Sequence, residues 1–273
     1  MASGVPVRDA LDSAVVAIAA SGSVTARLDA ELLLAAALGV PRAALWTTDV
    51  TVAGPAVRTF RDLVQRRSAG HEPVAYLLGT KGFRHIDLTV DPRVLIPRPE
   101  TELLVEVGLE LPHGARVADV GTGSGAIALA LKHERPDLDV VATDVSADAL
   151  DVARANATRL GLDVAFAHGD LLEAVEGDLD AVLSNPPYVE EGARLAPDIL
   201  RHEPPGALFA GADGLDVIRR LVPQAAARAP FVALEIGQAQ GDAVTRLLRD
   251  AGMDDVEVRE DLAGIDRVVV GRR

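Results

Sequence analysis

The chain has 273 residues, 49% of them hydrophobic, with a formal net charge of −14 and no cysteine. This length accommodates one large domain, or a medium domain with a small one, and the missing cysteines exclude disulfides and thiolate metal sites. The acidic charge argues against binding to DNA or RNA, because nucleic-acid-binding proteins usually present a basic face to the phosphates.

The N-terminal segment gives no indication of export or membrane insertion. It lacks the basic start and the sustained apolar core of a signal peptide. Apolar runs in this sequence are all shorter than the about 18 residues that a membrane-spanning helix needs. We therefore expect a cytoplasmic protein with neither a membrane partner nor a direct nucleic-acid partner.

The first 76 residues show helical patterns and turns. Apolar residues between Val7 and Ile18 recur on one helical face. A second helix is predicted from about Ala26 to Gly39, and Pro41 opens a short third one. A fourth helix contains Phe60. Because we find no strand pattern here, we predict a small all-helical domain over residues 1–76.

The period of the apolar residues changes to two from Phe83 onward. Ile86, Leu88 and Val90 alternate with polar residues, and Asp91-Pro92-Arg93 is typical of a turn. Val94-Leu95-Ile96 then reads as a second short strand. The sequence therefore predicts a β-hairpin in a linker over residues 77–98.

Strands and helices alternate from about residue 99 to the C-terminus. The predicted strands are Arg116–Val120, Val140–Thr143, Val164–Ala167, Ala181–Ser184 and Phe231–Glu235, with helices at about 99–110, 125–134, 146–160, 213–228 and 240–250. Two closing strands, Val256–Arg259 and Arg267–Val270, are close enough in sequence to pair antiparallel. This alternation predicts an α/β domain over residues 99–273, with a Rossmann-like parallel sheet covered by helices on both faces.

A glycine-rich turn follows the first of these strands. We call it the glycine loop, and it consists of Gly121, Thr122, Gly123, Ser124 and Gly125. Glycine permits positive φ angles and close approach of the backbone to a ligand. The spacing is shorter than in the dinucleotide fingerprint, which favours a ligand without a diphosphate. A tight turn with no ligand is the alternative interpretation.

Acidic residues follow the next two strands at places where a nucleoside would bind. Asp144 ends its strand about 20 residues after the glycine loop, where a carboxylate accepts hydrogen bonds from ribose hydroxyls. Asp170 and Leu171 follow the third strand, where a carboxylate and an apolar side chain would contact adenine. The alternatives are an N-cap for Asp144, although Ser146 can fill that position, and a solvated loop acid for Asp170.

The fourth strand runs into Asn185, Pro186, Pro187 and Tyr188. The two prolines end the strand and stiffen the loop at the edge of the sheet where ligands bind. Neither proline has an N–H group, so the Asn185 side-chain oxygen and the Pro186 carbonyl are offered as acceptors. An NH2 group brings two donors and would be held between them, with Tyr188 against its planar group. We therefore predict catalytic and substrate-binding roles for this motif, and Asn185 would also border the cofactor.

These motifs resemble the release factor glutamine methyltransferases, the HemK/PrmC family. The Asn-Pro-Pro-Tyr motif after a glycine loop is similar to that of methyltransferases acting on planar amines and amides. Two further stretches, Pro73–Gly79 and Leu95–Glu102, narrow the resemblance to this family, and it covers nearly the whole chain.

The resemblance implies a class I methyltransferase fold and S-adenosyl-L-methionine as methyl donor, with S-adenosyl-L-homocysteine as product. It also implies that the substrate is the glutamine of a Gly-Gly-Gln motif in peptide chain release factors. The helical domain would then dock the body of the release factor.

Two other functions stay open at this point. An adenine-amine methyltransferase acting on DNA or RNA uses the same four-residue motif, but it should carry a basic surface. A methyltransferase fold retained only for binding is the second alternative, and the intact Asn185 and glycine loop argue against it. The six histidines lack metal-ligand spacing, so no metal site is expected. The sequence leaves the roles of Arg98 and Glu203 undecided.

Overall fold

The computed structural model describes residues 4–46 and 51–273. The chain divides into two units. The helical unit comprises Met1–Gly79 and Leu195–His202, and the sheet unit comprises Thr80–Arg194 and Glu203–Arg273. The helical unit thus contains a segment that follows the Asn-Pro-Pro-Tyr motif in the chain. The domain bounds 1–76, 77–98 and 99–273 remain a prediction.

The elements follow the chain in a regular order. The helices are α1 (Val7–Ala20), α2 (Ala26–Leu38), α3 (Pro55–Ser68), α4 (Val74–Leu78), α5 (Glu102–Leu109), α6 (Ala126–Glu134), α7 (Ala147–Leu160), α8 (Pro197–His202), α9 (Asp216–Arg228) and α10 (Gly241–Asp250). The strands are β1 (Val5–Pro6), β2 (Thr51–Val52), β3 (Thr80–Phe83), β4 (Ile86–Thr89), β5 (Arg116–Val120), β6 (Asp139–Asp144), β7 (Ala165–His168), β8 (Ala181–Ser184), β9 (Phe231–Glu235), β10 (Asp255–Glu260) and β11 (Asp266–Arg272).

The helical unit has its own apolar core. Leu11 and Ile18 of α1 pack with Leu33 of α2 and Phe60 of α3, and each such burial stabilises the fold by roughly 1.5–3 kcal/mol. Gly39 directly follows α2, and its φ of 66° makes it the left-handed C-cap of this helix. In the described ranges, 4–46 and 51–273, no helix is long and apolar enough to cross a bilayer.

The helical unit differs from the expected all-helical domain in one detail. Strands β1 and β2 form a two-residue antiparallel ladder, in which Val5 pairs with Val52. Two residues are too few to show the alternation by which a strand is recognised in sequence. The sequence pattern therefore does not predict this ladder.

The sheet unit confirms the predicted α/β architecture. Its seven strands lie in the order β10-β11-β9-β8-β5-β6-β7. Strands β5 to β9 run parallel, and the closing pair β10 and β11 is antiparallel, as predicted. Strand β5 lies between β6 and β8, so the chain winds in opposite directions from it. Ligands bind in the crevice at such a switch point, outside the carboxyl ends of the strands.

The predicted hairpin exists, but its strands are β3 and β4. Phe83 pairs with Ile86 across a two-residue turn, in which Arg84 has a φ of 49°. The expected second strand at Val94–Ile96 is wrong, since that stretch is irregular. The Val94 N–H donates to the Asp91 carbonyl at 3.1 Å, and the Ile96 N–H donates to Glu203 Oε2 at 3.1 Å, so neither group is available to a ladder.

Candidate active site

The glycine loop connects β5 to α6, and its three glycines all have positive φ. The angles are 73° at Gly121, 56° at Gly123 and 86° at Gly125. A Cβ atom on Gly121 or Gly123 would meet nothing within 4 Å, whereas one on Gly125 would lie 2.8 Å from Leu129 Cδ1. The first two glycines therefore border open space beyond the sheet edge, and the third permits close packing of α6.

Hydrogen bonds at Thr122 and Ser124, on either side of Gly123, hold the loop in place. The Thr122 hydroxyl donates to Asp119 Oδ2 at 2.6 Å, and the Ala128 N–H donates to the same oxygen at 3.1 Å. The Ser124 carbonyl accepts from the Asn156 side chain at 3.0 Å. Because Thr122 and Ser124 are 5% and 2% exposed, both residues face the protein, and their contact with a cofactor remains a prediction.

Asp119 is a buried acid that the sequence reading did not single out. It is 0% exposed, and its Oδ1 atom has no hydrogen-bond partner among the described residues. Burial raises the pKa of Asp119 to about 7, against the opposing effect of its hydrogen bond from Thr122. The sequence does contain a signal for Asp119, because it is an acid inside an apolar strand directly before the glycine loop.

Asp144 lies at the end of β6 and contacts the glycine loop directly. Its Oδ2 accepts the Gly123 N–H at 2.9 Å, and its Oδ1 accepts the Ser146 N–H at 2.9 Å. Burial raises the pKa of Asp144 above its ordinary value. Ser146 caps α7 by accepting the Ala149 N–H, so the cap of this helix does not depend on Asp144. The position therefore suits the predicted ribose contact.

Asp170 and Leu171 follow β7, the neighbour of β6. The Asp170 carboxylate forms an ion pair with Arg220. Leu171 has a φ of 52°, which is uncommon for a residue with a side chain, and its side chain lies in the main core. The Gly169 N–H donates to the Asp144 carbonyl at 3.1 Å, which joins this loop to the predicted ribose site. The adenine contact remains a prediction.

The Asn-Pro-Pro-Tyr motif begins at the carboxyl end of β8, beside β5. Val120 pairs with Ser184, so the motif and the glycine loop leave the sheet at neighbouring positions. The Asn185 side-chain NH2 donates to Thr101 Oγ1 at 3.1 Å. Since that bond uses the nitrogen, the Asn185 Oδ1 atom is left to accept a hydrogen bond.

The Tyr188 side chain is fixed by a buried acid at the end of β9. The Tyr188 hydroxyl donates to Glu235 Oε1 at 3.3 Å, and Glu235 is 1% exposed. Burial raises the pKa of Glu235 to about 7, while the Thr101 and Tyr188 hydroxyls oppose that rise. Burial and the nearby Glu235 also raise the pKa of Tyr188. Thr101 and Glu235 contact side chains of the Asn-Pro-Pro-Tyr motif, and sequence reasoning missed both.

The backbone of this motif is braced from the α9 and α10 side of the sheet. The Gln240 amide donates to the Tyr188 carbonyl at 3.0 Å and accepts from the Gly237 N–H at 2.8 Å. A Cβ atom on Gly214, where φ is 72°, would lie 2.2 Å from the same Tyr188 carbonyl oxygen. Only glycine fits there, because both the backbone angle and the approach exclude a side chain.

Arg98 and Glu203, whose roles the sequence left open, form an ion pair. Glu203 is 3% exposed and also accepts the Ile96 N–H. The pair therefore holds the Leu95–Glu102 stretch against the chain that returns from α8. Across the described part of the chain, no three His, Asp or Glu side chains converge in a way that could hold a metal ion.

Comparisons with known proteins cover both units. Residues 99–205 match the family model "Methyltransferase small domain", and residues 9–79 match "PrmC N-terminal domain". A "Release factor glutamine methyltransferase" of Xylella fastidiosa is 46% identical over 272 residues, which is 96% of this chain and 98% of that protein. A protein of the same name from Mycolicibacterium smegmatis is 41% identical over 98% of both chains. A solved methyltransferase from Pyrococcus furiosus is 19% identical and aligns with a TM-score of 0.53 over 80% of this chain and 98% of its own, which shows the fold alone.

Proposed function

The chain belongs to the release factor glutamine methyltransferase family, and on that basis we propose that it methylates a glutamine side-chain amide in peptide chain release factors. The glutamine is that of the Gly-Gly-Gln motif, and S-adenosyl-L-methionine is the methyl donor. One observation carries the proposal: Asn185 is held by Thr101 through its nitrogen, so its oxygen can accept from a substrate NH2 beside the glycine loop.

The residues present fit S-adenosyl-L-methionine. Open space in front of Gly121 and Gly123 lets the backbone approach a ligand. Asp144 uses one acceptor site on each oxygen for Gly123 and Ser146, and a carboxylate has about four such sites. Two sites are thus left for ribose hydroxyls. The cofactor supplies an electrophilic methyl group on a sulfonium.

The side chains of the motif would act by orientation. Asn185 Oδ1 and the Pro186 carbonyl each accept one N–H of the substrate amide, and the Tyr188 ring lies against the amide plane. Held this way, the amide nitrogen presents its electron pair to the methyl group. In this arrangement the amide nitrogen would accept the methyl group that the cofactor supplies, which would leave S-adenosyl-L-homocysteine, and one amide proton would pass to water. Orientation of this kind is worth up to about 7–11 kcal/mol in well-aligned cases.

Catalysis would need no strong base. An amide nitrogen is a poor nucleophile because its electron pair is delocalised into the carbonyl. Positive charge grows on that nitrogen during transfer, so acceptors on its two N–H groups become stronger in the transition state. The nitrogen becomes acidic only after it has gained the methyl group.

The rival function is methylation of an adenine amine in DNA or RNA. A net charge of −14 opposes the approach of a polyanion. The decisive experiment supplies labelled cofactor together with release factor, DNA or RNA, and then locates the label by mass spectrometry. We expect one methyl group on the Gly-Gly-Gln glutamine and none on a release factor in which alanine replaces that glutamine. Label in nucleic acid, or in neither substrate, would contradict the proposal.

A further inference from the structure

Gln240 lies on the loop that follows β9 and directly precedes α10. It occupies the N-cap position of that helix, yet its side chain forms no capping hydrogen bond. The side chain instead contacts the loops that leave β8 and β9. These contacts therefore serve the Asn-Pro-Pro-Tyr motif and not the end of the helix.

Both polar atoms of the Gln240 amide have partners. Oε1 accepts the Gly237 N–H at 2.8 Å. Nε2 donates to the Tyr188 carbonyl at 3.0 Å and to the Asp213 carbonyl at 3.3 Å, and these contacts span 52 and 27 positions of the chain. One side chain thus joins three loops, and one of these loops carries the Asn-Pro-Pro-Tyr motif.

Two glycines contact Tyr188 from the same side as Gln240. We call Gly214, Gly237 and Gln240 the tyrosine socket. A Cβ atom on Gly214 would lie 2.2 Å from the Tyr188 carbonyl oxygen, and one on Gly237 would lie 3.2 Å from Tyr188 Cδ2. The tyrosine socket therefore contacts both the main chain and the ring of Tyr188, and a side chain at Gly214 would displace the carbonyl that Gln240 holds.

The turn that carries Gln240 has an uncommon backbone conformation. Ala239 has a φ of 69°, in the left-handed region that residues with a Cβ atom rarely occupy. Such conformations cost about 1–3 kcal/mol, and they are found mainly at functional sites, where surrounding contacts hold them. Here the Gln240 N–H donates to the Gly237 carbonyl at 3.2 Å, which closes the turn. The strained turn thus places the Gln240 side chain against Tyr188.

We propose that Gln240 is a positioning residue for methyl transfer, which fixes the Tyr188 backbone so that the tyrosine ring lies against the substrate amide. A ring can be held in one orientation only when the main chain from which it projects is also held. The Gln240 NH2 group does this by donating to the Tyr188 carbonyl. This inference rests on the proposed function, because Tyr188 contacts the glutamine amide only in that reaction.

The first experiment measures kcat with saturating release factor and cofactor, and cofactor affinity by calorimetry. Gln240→Met keeps the length of the side chain and removes its three hydrogen bonds. Gln240→Glu keeps the acceptor for the Gly237 N–H but places an oxygen against the Tyr188 carbonyl. We expect both changes to lower kcat by about 100-fold, the cost of a misplacement of about 1 Å, and to leave cofactor affinity within about threefold.

Gln238 offers matched controls on the same turn. Its side chain is exposed, so Gln238→Met and Gln238→Glu repeat the two changes in volume and charge two residues away. Both control variants should retain the wild-type kcat. Equal losses of kcat at the two positions would overturn the inference, because they would show that the donor of Gln240 has no special role.

The second experiment observes Tyr188 directly. The chain has two tyrosines, Tyr188 and Tyr76, and Tyr76 belongs to the helical unit. Enzyme labelled with fluorotyrosine therefore gives two fluorine NMR resonances, which Tyr76→Phe assigns. We expect the Tyr188 resonance to shift or broaden in Gln240→Met while the Tyr76 resonance stays in place, and neither resonance to change in Gln238→Met. A change in both resonances would indicate a general structural effect and would overturn the inference.

Failure of the inference and failure of the proposed function give different results. Wild-type enzyme that does not methylate release factor refutes the function. Wild-type enzyme that does so, together with a folded Gln240→Met variant of unchanged kcat, refutes only the role of Gln240. A loss of kcat with an unchanged Tyr188 resonance, or with an equal loss of cofactor affinity, also refutes that role.

Discussion

Replacing Asp144 with alanine should weaken cofactor binding, and the structure indicates by how much. The carboxylate accepts the Gly123 and Ser146 N–H groups, which leaves about two of its roughly four acceptor sites for the ribose hydroxyls. Each hydrogen bond to a charged group is worth about 1.5–3 kcal/mol. Loss of two such bonds costs about 3–6 kcal/mol, a rise in Kd of at least about 100-fold.

The assay is calorimetric titration with S-adenosyl-L-homocysteine. Asp148→Ala is the matched control, since it removes an exposed acid from the first turn of α7, and its Kd should match the wild type. The Kd of Asp144→Asn should lie between those of Asp144→Ala and the wild type, because the amide keeps one acceptor oxygen and loses the charge. An Asp144→Ala protein that is folded and binds within about fivefold of wild type would remove Asp144 from the ribose site and refute this reasoning.

Three further predictions concern turnover, stability and docking. Asn185→Ala should nearly abolish kcat on release factor while cofactor affinity stays within a fewfold, and a variant that keeps most of its kcat would contradict the orienting role. Because the pKa of Asp119 is raised to about 7 in the folded protein, its contribution favours the folded state below about pH 4 and is lost as the pH rises through 7. In urea unfolding, the free energy of unfolding of Asp119→Asn should fall with rising pH by a few kcal/mol less than that of the wild type. An equal fall in both proteins would contradict a raised pKa of Asp119. Val16 and Val24 are 71% and 99% exposed on the helical unit, and replacing both with aspartate should lower kcat/KM on whole release factor by about tenfold. That variant should methylate a Gly-Gly-Gln peptide with the wild-type kcat/KM. Equal losses of kcat/KM on peptide and protein would mean that the helical unit has a structural role.

What the sequence predicts well in this protein is local. The glycine loop and the Asn-Pro-Pro-Tyr motif occupy a few consecutive residues each, and the strands before them have strong apolar patterns. In the structure both motifs leave the sheet at one edge, because Val120 pairs with Ser184. Parallel strands make this inference safe, because their carboxyl ends meet at the same edge.

The sequence could not predict the contacts between residues that lie far apart in the chain. The contact between Asn185 and Thr101 spans 84 positions, and the one between Tyr188 and Glu235 spans 47. Both depend on which strands become neighbours and on where a loop returns. The second strand of the hairpin was predicted at the wrong position for a different reason. Val94–Ile96 has strand-like residues, but the Ile96 N–H donates to Glu203 and not to a neighbouring strand.

The segment Leu195–His202 has a consequence for how this protein can be divided. Asp198 pairs with Arg67, which is 7% exposed and also bonded to Asp29, and His202 bonds to the Gly70 carbonyl at 2.8 Å. Removing the first 79 residues would therefore strip this segment of its partners within the helical unit. A chimera of two relatives joined once near residue 79 would inherit one half of these contacts from each parent. Exchange of the helical unit requires two pieces of sequence to be transferred together.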